Sequence, residues 1–191
     1  MEHQPLHIVL LGAPGCGKGT QAQHISREYQ LNHISTGVLF REEIASGSPL
    51  GKHIAEIINN GGLCSTEMTL DILARHLKSC NPRNGYIFDG VPRTIEQAEM
   101  MDGINYPARF QIDHVVDIHV NEKVSYDRIL KRAEIENRAD DTIEVLEKRI
   151  ANYFELTKPL EQYYAAQGKL QTINGMQSIE EVFADICKLL G

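Results

Sequence analysis

The run Gly12-Ala13-Pro14-Gly15-Cys16-Gly17-Lys18-Gly19-Thr20 holds the residue types a polyphosphate needs, in the order it needs them. Glycines let a backbone fold around an anion with its N–H groups turned inward, free of Cβ clashes. Lys18 supplies a point charge for the outer phosphates. The Thr20 hydroxyl can reach a magnesium ion or its waters. Gly19 departs from the general GxxxxGK[ST] pattern, which carries the hydroxyl directly after the lysine. A glycine-rich connection in an ordinary α/β domain is the plainer reading. The flanking elements argue for the phosphate site.

Those elements are a strand before and a helix after. His7 to Leu11 is a short apolar run rich in Ile, Val and Leu, the pattern of a buried parallel strand. Gln21 to Tyr29 repeats Ala22, Ile25 and Tyr29 at helical spacing, so the loop feeds a helix N-terminus with unpaired N–H groups and a positive dipole end. Further strands are predicted at Asn32 to Ser35, Tyr86 to Asp89, Asp113 to Val120 and Lys169 to Ile173. Helical patterns cover Gly37 to Ala45, Leu50 to Asn59, Thr66 to Ser79, Thr94 to Met101, Glu122 to Glu134, Thr142 to Gln167 and Ser178 to Leu190. Pro159 should kink or divide the sixth of these. Thr94-x-x-Gln97 and Ser178-x-x-Glu181 read as capping boxes. Strands separated by helices predict an α/β fold, a five-stranded parallel sheet with helices on both faces. Ligands then bind at the carboxyl ends of the strands.

At 191 residues and 42% hydrophobic content the chain suits one compact domain. With a formal net charge of −7 a nucleic-acid-binding surface is not expected, and no apolar run approaches the ~20 residues that span a bilayer. Met1 to His7 shows no signal-peptide pattern. Cys16, Cys64, Cys80 and Cys187 are far apart, which argues for free thiols in a reducing cytoplasm and against a zinc site. Eight histidines are scattered without HxxxH or HExxH spacing, and core or surface roles suit them.

Asp89 ends an apolar strand, the usual position of the acid that holds magnesium through its water shell opposite a phosphate loop. Arg41, Arg93, Arg128, Arg132, Arg138 and Arg149 fall near predicted strand ends or in adjoining helices and turns. Phosphoryl transfer needs several fixed cations, and the planar guanidinium holds phosphate oxygens bidentately. Read singly, each arginine suits a surface ion pair better than a phosphate clamp. Arg128 and Arg132 form an i,i+4 pair that Asp127 or Glu136 could satisfy.

Taken together the motifs resemble those of the nucleoside monophosphate kinases, and of adenylate kinases in particular. Gly-Thr after the lysine is that family's form. Ile34-Ser35-Thr36-Gly37 with Arg41, Asp89-Gly90-Val91-Pro92-Arg93-Thr94-x-x-Gln97, Arg128-x-x-x-Arg132, and Arg138-x-Asp140-Asp141 with Arg149 follow its order and spacing from about Ile8 to Gly191. The resemblance implies Mg²⁺-dependent ATP + AMP ⇌ 2 ADP by a cytoplasmic monomer. It implies a single domain over residues 1–191, with an AMP-binding insertion at about 35–64 and a short lid at about 131–141. By position, Gly15, Cys16, Gly17, Lys18, Gly19, Thr20, Arg128 and Gln177 would hold ATP. Thr36, Arg41, Gly62, Leu63, Cys64, Gly90, Val91, Pro92, Arg93 and Gln97 would hold AMP. Arg132, Arg138 and Arg149 would clamp the transferring phosphates with Lys18 and Arg93, and Arg138 and Arg149 would also reach AMP. An amide at Gln97 can pair with adenine through one donor and one acceptor.

The chain departs from the family at two places. Val38 stands where an Asp is usual and Val91 where a Phe is usual, removing a carboxylate and an aromatic wall near the acceptor site. The rival readings are a UMP/CMP kinase of the same fold and a non-catalytic adenylate-binding module.

Overall fold

The computed structural model describes residues 5–102, 111–136 and 142–191, the side chains at 82 and 132–136 excepted. Its strands are β1 (His7–Leu11), β2 (Asn32–Ser35), β3 (Tyr86–Asp89), β4 (His114–His119) and β5 (Leu170–Asn174). All pair in parallel, in the order β2-β3-β1-β4-β5. The helices are α1 (Lys18–Glu28), α2 (Thr36–Ala45), α3 (Pro49–Asn59), α4 (Thr66–Leu77), α5 (Ile95–Asp102), α6 (Glu122–Glu136), α7 (Ile143–Asn152), α8 (Pro159–Ala165) and α9 (Ile179–Leu190). Among the described residues no helix is long and apolar enough to cross a membrane.

The central strand explains the layering. Every residue of β1 is buried, and its side chains alternate between faces. Val9 and Leu11 join Ile34, Phe88 and Val115 under α2, α4, α5 and α8, which contribute Phe40, Leu73, Met101 and Leu160. Ile8 and Leu10 join Ile87, Val116 and Ile118 under α1 and α9, which contribute Ala22, Ile25, Val182 and Ile186. Full burial of a side chain of this size contributes about 1.5–3 kcal/mol, so a strand apolar on both faces is satisfied only between two helical layers.

After β3 the chain crosses β1 to reach β4, so the strand order reverses at the carboxyl end of β1. The register aligns Leu10 and Ser35 with Asp89, which gathers the ends of β1, β2 and β3 at one point. A crevice at such a reversal is where open α/β sheets bind ligands.

Two boundaries differ from expectation for local reasons. Helix α1 begins at Lys18, inside the glycine-rich motif, because Gly17 takes a left-handed φ of 104° and starts the helix immediately. The 142–167 pattern divides at Asn152 into α7, a π-helical turn (Tyr153–Thr157) and α8. Lys158 N–H reaches back to the Tyr153 carbonyl at 2.8 Å, and Pro159 opens the next helix. The Ser178 box forms in full, whereas Thr94 keeps only half of its own: its hydroxyl accepts from Gln97 N–H at 3.1 Å. The Gln97 carboxamide oxygen goes instead to Arg93 N–H at 2.7 Å.

Candidate active site

The glycine-rich loop is braced through its carbonyl oxygens. Those of Gly12 and Ala13 accept from Lys18 Nζ at 2.6 and 3.1 Å. The Pro14 carbonyl accepts from the Ser125 hydroxyl, and the Cys16 carbonyl from Arg128 Nη1 at 3.1 Å. The loop tolerates no side chain where it meets β4 and α6. A Cβ on Gly12 would lie 2.5 Å from the Ile118 carbonyl oxygen, and one on Gly15 would lie 2.6 Å from that of Ser125. Cys16 is buried, with its sulfur 3.5 Å from Lys18 Nζ. The first N–H groups of α1 lack intrahelical acceptors by construction, and Gly17 to Thr20 line the cleft they open into.

That cleft has a volume of about 800 Å³ and runs from the phosphate loop to the ends of α3 and α7. Arg128 ties the loop end of the cleft together, since Nη2 also bonds the Gly175 carbonyl at 3.0 Å. Gln177 lines the same end; its Nε2 donates to Asp185 at 3.2 Å, while Oε1 is buried with no hydrogen-bond partner among the described residues. Both acceptors of Arg128 are backbone carbonyls rather than Asp127, and the Glu136 side chain lies outside the described residues.

Asp89 faces the start of α1: a Cβ on Gly19 would stand 3.5 Å from its Oδ2. Ser35 Oγ donates to that oxygen at 3.4 Å, and His33 Nε2 is 4.0 Å away. Burial lowers the His33 pKa, with Asp89 pulling it back up. No cluster of three or more His, Cys, Asp or Glu that could hold a metal occurs among the described residues. A carboxylate beside a glycine-rich loop of this kind suits a hard cation that keeps most of its water.

The opposite wall is built around Gly90. Its carbonyl accepts from Thr36 Oγ1 and Arg93 Nε, both at 2.9 Å, and at φ 84° a Cβ there would come 2.6 Å from Thr36 Oγ1. The Arg93 carbonyl accepts from Thr157 Oγ1 at 2.9 Å. Desolvation, then the like charge of Arg149, lowers the Arg93 pKa from its ordinary value; Asp89 opposes both. Arg41, Arg93, Arg128, Lys131 and Arg149 thus share the cleft with Lys18. Leu63, Gly90 and Pro92 line it as well.

Five candidates stand elsewhere. Thr36 and Gln97 are buried and reach the cleft through the bonds just given to Gly90 and Arg93. Gly62 spends its N–H on the Ile57 carbonyl at 2.9 Å, closing α3. Cys64 packs in the core, where burial raises its thiol pKa. Val91 is also a core residue at 1% exposure, so its side chain replaces no wall of the cleft. The Arg132 side chain and Arg138 lie outside the described residues. Sequence reasoning missed His33, Asn152, Tyr153 and Thr157, all on the cleft wall. Asn152 and Tyr153 follow Arg149 at i+3 and i+4, a helical spacing that points to them.

The sequence model of the adenylate kinase family matches residues 10–169 of this chain. The chain belongs to the adenylate kinase family. An adenylate kinase of Bacteroides fragilis is 44% identical over 183 residues, covering 96% of this chain and 97% of the relative. Adenylate kinases of Bacteroides thetaiotaomicron and Nitrobacter hamburgensis are 42% and 40% identical, covering 96% and 97% of this chain and 97% and 92% of their own. The family's P-loop α/β fold is the one described above, and its members act on ATP, AMP and ADP with Mg²⁺.

Proposed function

We propose that this cleft performs the family's reaction, reversible transfer of the γ-phosphoryl group of ATP to AMP, giving two ADP. The observation that carries the reading is the convergence of six cationic side chains on one cleft between two differently built arms. On the donor arm, the loop from Gly15 to Thr20 would hold the ATP phosphates, with Lys18 on the outer ones. Arg128 and Gln177 would meet the rest of ATP. On the acceptor arm, Thr36, Arg41, the Gly62–Leu63–Cys64 backbone, Gly90 to Arg93 and Gln97 would receive AMP. Arg93 N–H takes one lone pair of Gln97 Oε1, so the amide nitrogen and the second lone pair would be left for a base. Arg93, Arg132, Arg138 and Arg149 would neutralise charge spread over the transferring group. The AMP phosphate is itself the nucleophile, so no general base is needed. Asp89, with Thr20 as a second candidate, would hold Mg²⁺ through water. The ion would supply positive charge that offsets the charge of the phosphate oxygens.

The domain organisation we infer is one core with an insertion at about 35–64, which α2 and α3 fill, and a short lid at about 131–141. Closure of both would exclude water as a competing acceptor. The net charge of −7 supports a protein without nucleic-acid partners, and the scattered cysteines support a cytoplasmic setting. A monomer is the simplest state, since the cleft is built within one chain. The test is ADP formation from MgATP with AMP, UMP, CMP or GMP supplied separately. Activity confined to AMP supports the reading; activity on UMP or CMP keeps the mechanism and changes the acceptor. ATP binding without ADP formation would leave a sensing module.

A further inference from the structure

Asn152, at the end of α7, lines the cleft three residues after Arg149. Its Nδ2 donates to the Gly61 carbonyl oxygen at 2.8 Å. Gly61 closes α3 with a left-handed φ of 74°; its N–H bonds the Ile58 carbonyl and the next N–H bonds that of Ile57, both at 2.9 Å. This is a glycine helix stop, in which the last carbonyls are satisfied locally. The Gly61 carbonyl is directed away from its own helix, to Asn152. The two helices meet closely here, since a Cβ on Gly61 would lie 2.9 Å from both the Val145 carbonyl oxygen and Lys148 Cβ.

The Gly61–Gly62 peptide is planar, so fixing its N–H on α3 and its C=O on α7 fixes its tilt. That tilt decides where the following backbone, ending in Leu63 on the cleft wall, presents its polar groups. Thr157, on the π-helical turn after α7, holds the Arg93 carbonyl on the facing wall in the same manner, at 2.9 Å. One continuous stretch, Arg149 to Thr157, therefore supplies a cation to the cleft and braces two of its walls.

We propose that Asn152 is a positioning residue for the acceptor nucleotide. It sets the orientation of the Gly61–Leu63 backbone that receives the acceptor's base, and so governs affinity for AMP rather than for ATP. The inference rests on the reading of Gly62 to Cys64 as acceptor wall. A hydrogen bond of this kind, broken so that the carbonyl is left without its donor, corresponds to a change of about three- to tenfold in a dissociation constant.

The experiment is calorimetric titration of the wild-type chain, Asn152→Asp and Asn152→Ala with AMP alone and, separately, with ATP alone. Asp keeps the side-chain size and loses the donor; Ala loses the donor without adding a negative charge near Arg149. Both variants are expected to bind AMP about three- to tenfold more weakly and ATP within about twofold of wild type. Unchanged AMP affinity in the Ala variant overturns the proposal, as does equal weakening for AMP and ATP, which marks general structural damage. Failure of the wild-type chain to bind AMP removes the acceptor-site reading itself, an outcome distinct from both.

Discussion

The Lys18 ammonium donates to the Gly12 carbonyl at 2.6 Å, six residues back along the same loop. With the second bond to Ala13, the cation is held over the loop it belongs to. On the proposed reading a bound nucleotide would offer phosphate oxygens in place of these carbonyls, so that both donor and acceptor would be charged. Lys18→Ala is expected to lower turnover more than tenfold, over about 1.4 kcal/mol of transition-state stabilisation. Steady-state rates with MgATP and AMP check this, and a smaller loss contradicts the role given to Lys18.

Ser125 is buried in α6, and its hydroxyl donates to the Pro14 carbonyl. Ser125→Ala leaves that carbonyl without this donor and frees the loop's outer edge. The expected loss of stability is about 1–2 kcal/mol, with a raised Michaelis constant for ATP and little change for AMP. Thermal melting and paired Michaelis constants test both parts.

Gly12 combines φ 133° with a site where a Cβ would come 2.5 Å from the Ile118 carbonyl oxygen and 2.7 Å from Cys16 Sγ. Neither conformation nor space admits alanine. Gly12→Ala is expected to destabilise the fold by roughly 1–3 kcal/mol or more and to lower the melting temperature accordingly. A melting temperature equal to that of the parent would contradict the packing described.

Asp117 pairs in register with Leu11 and is buried, and its Oδ1 has no hydrogen-bond partner among the described residues. Burial, then the Glu161 charge, raises its pKa above 3.8; His119, Lys18 and Lys158 oppose this. A carboxyl with a raised folded pKa binds protons more tightly when folded, so ionisation disfavours the fold as pH rises above 3.8. Asp117→Asn is therefore expected to melt higher than the parent at pH 7. The difference should narrow as pH falls towards 3.8, which a melting series over pH would show.

Val38 stands 43% exposed on the cleft wall, three residues before Arg41 on α2. Val38→Asp adds a carboxylate at i,i+3 to that guanidinium and restricts it. A lower Michaelis constant for AMP is expected in the variant. Equal constants would exclude any influence of this position on the acceptor.

The phosphate loop, the strand-end Asp89 and the layered sheet were legible because their spacing is itself the chemistry or the periodicity. Arg128 was legible as a candidate but its partners were not: its acceptors belong to Cys16 and Gly175, 112 and 47 residues distant. Gln97 looked like a helix cap or a base reader, and the structure uses its oxygen to hold Arg93. Val91 looked like a lost aromatic wall, yet side-chain direction in a turn follows no period, and it points into the core. Asn152 shares a helix face with Arg149, but spacing does not say that a carbonyl lies opposite it, and for Thr157 nothing local separates a polar side chain facing a carbonyl from one facing water.

The most direct measurement follows the label from ATP carrying a marked γ-phosphate in the presence of AMP and Mg²⁺. Direct transfer predicts that the label appears in the β-position of ADP formed from AMP, with little released as inorganic phosphate. Label recovered only as inorganic phosphate, with AMP unchanged, would contradict the account.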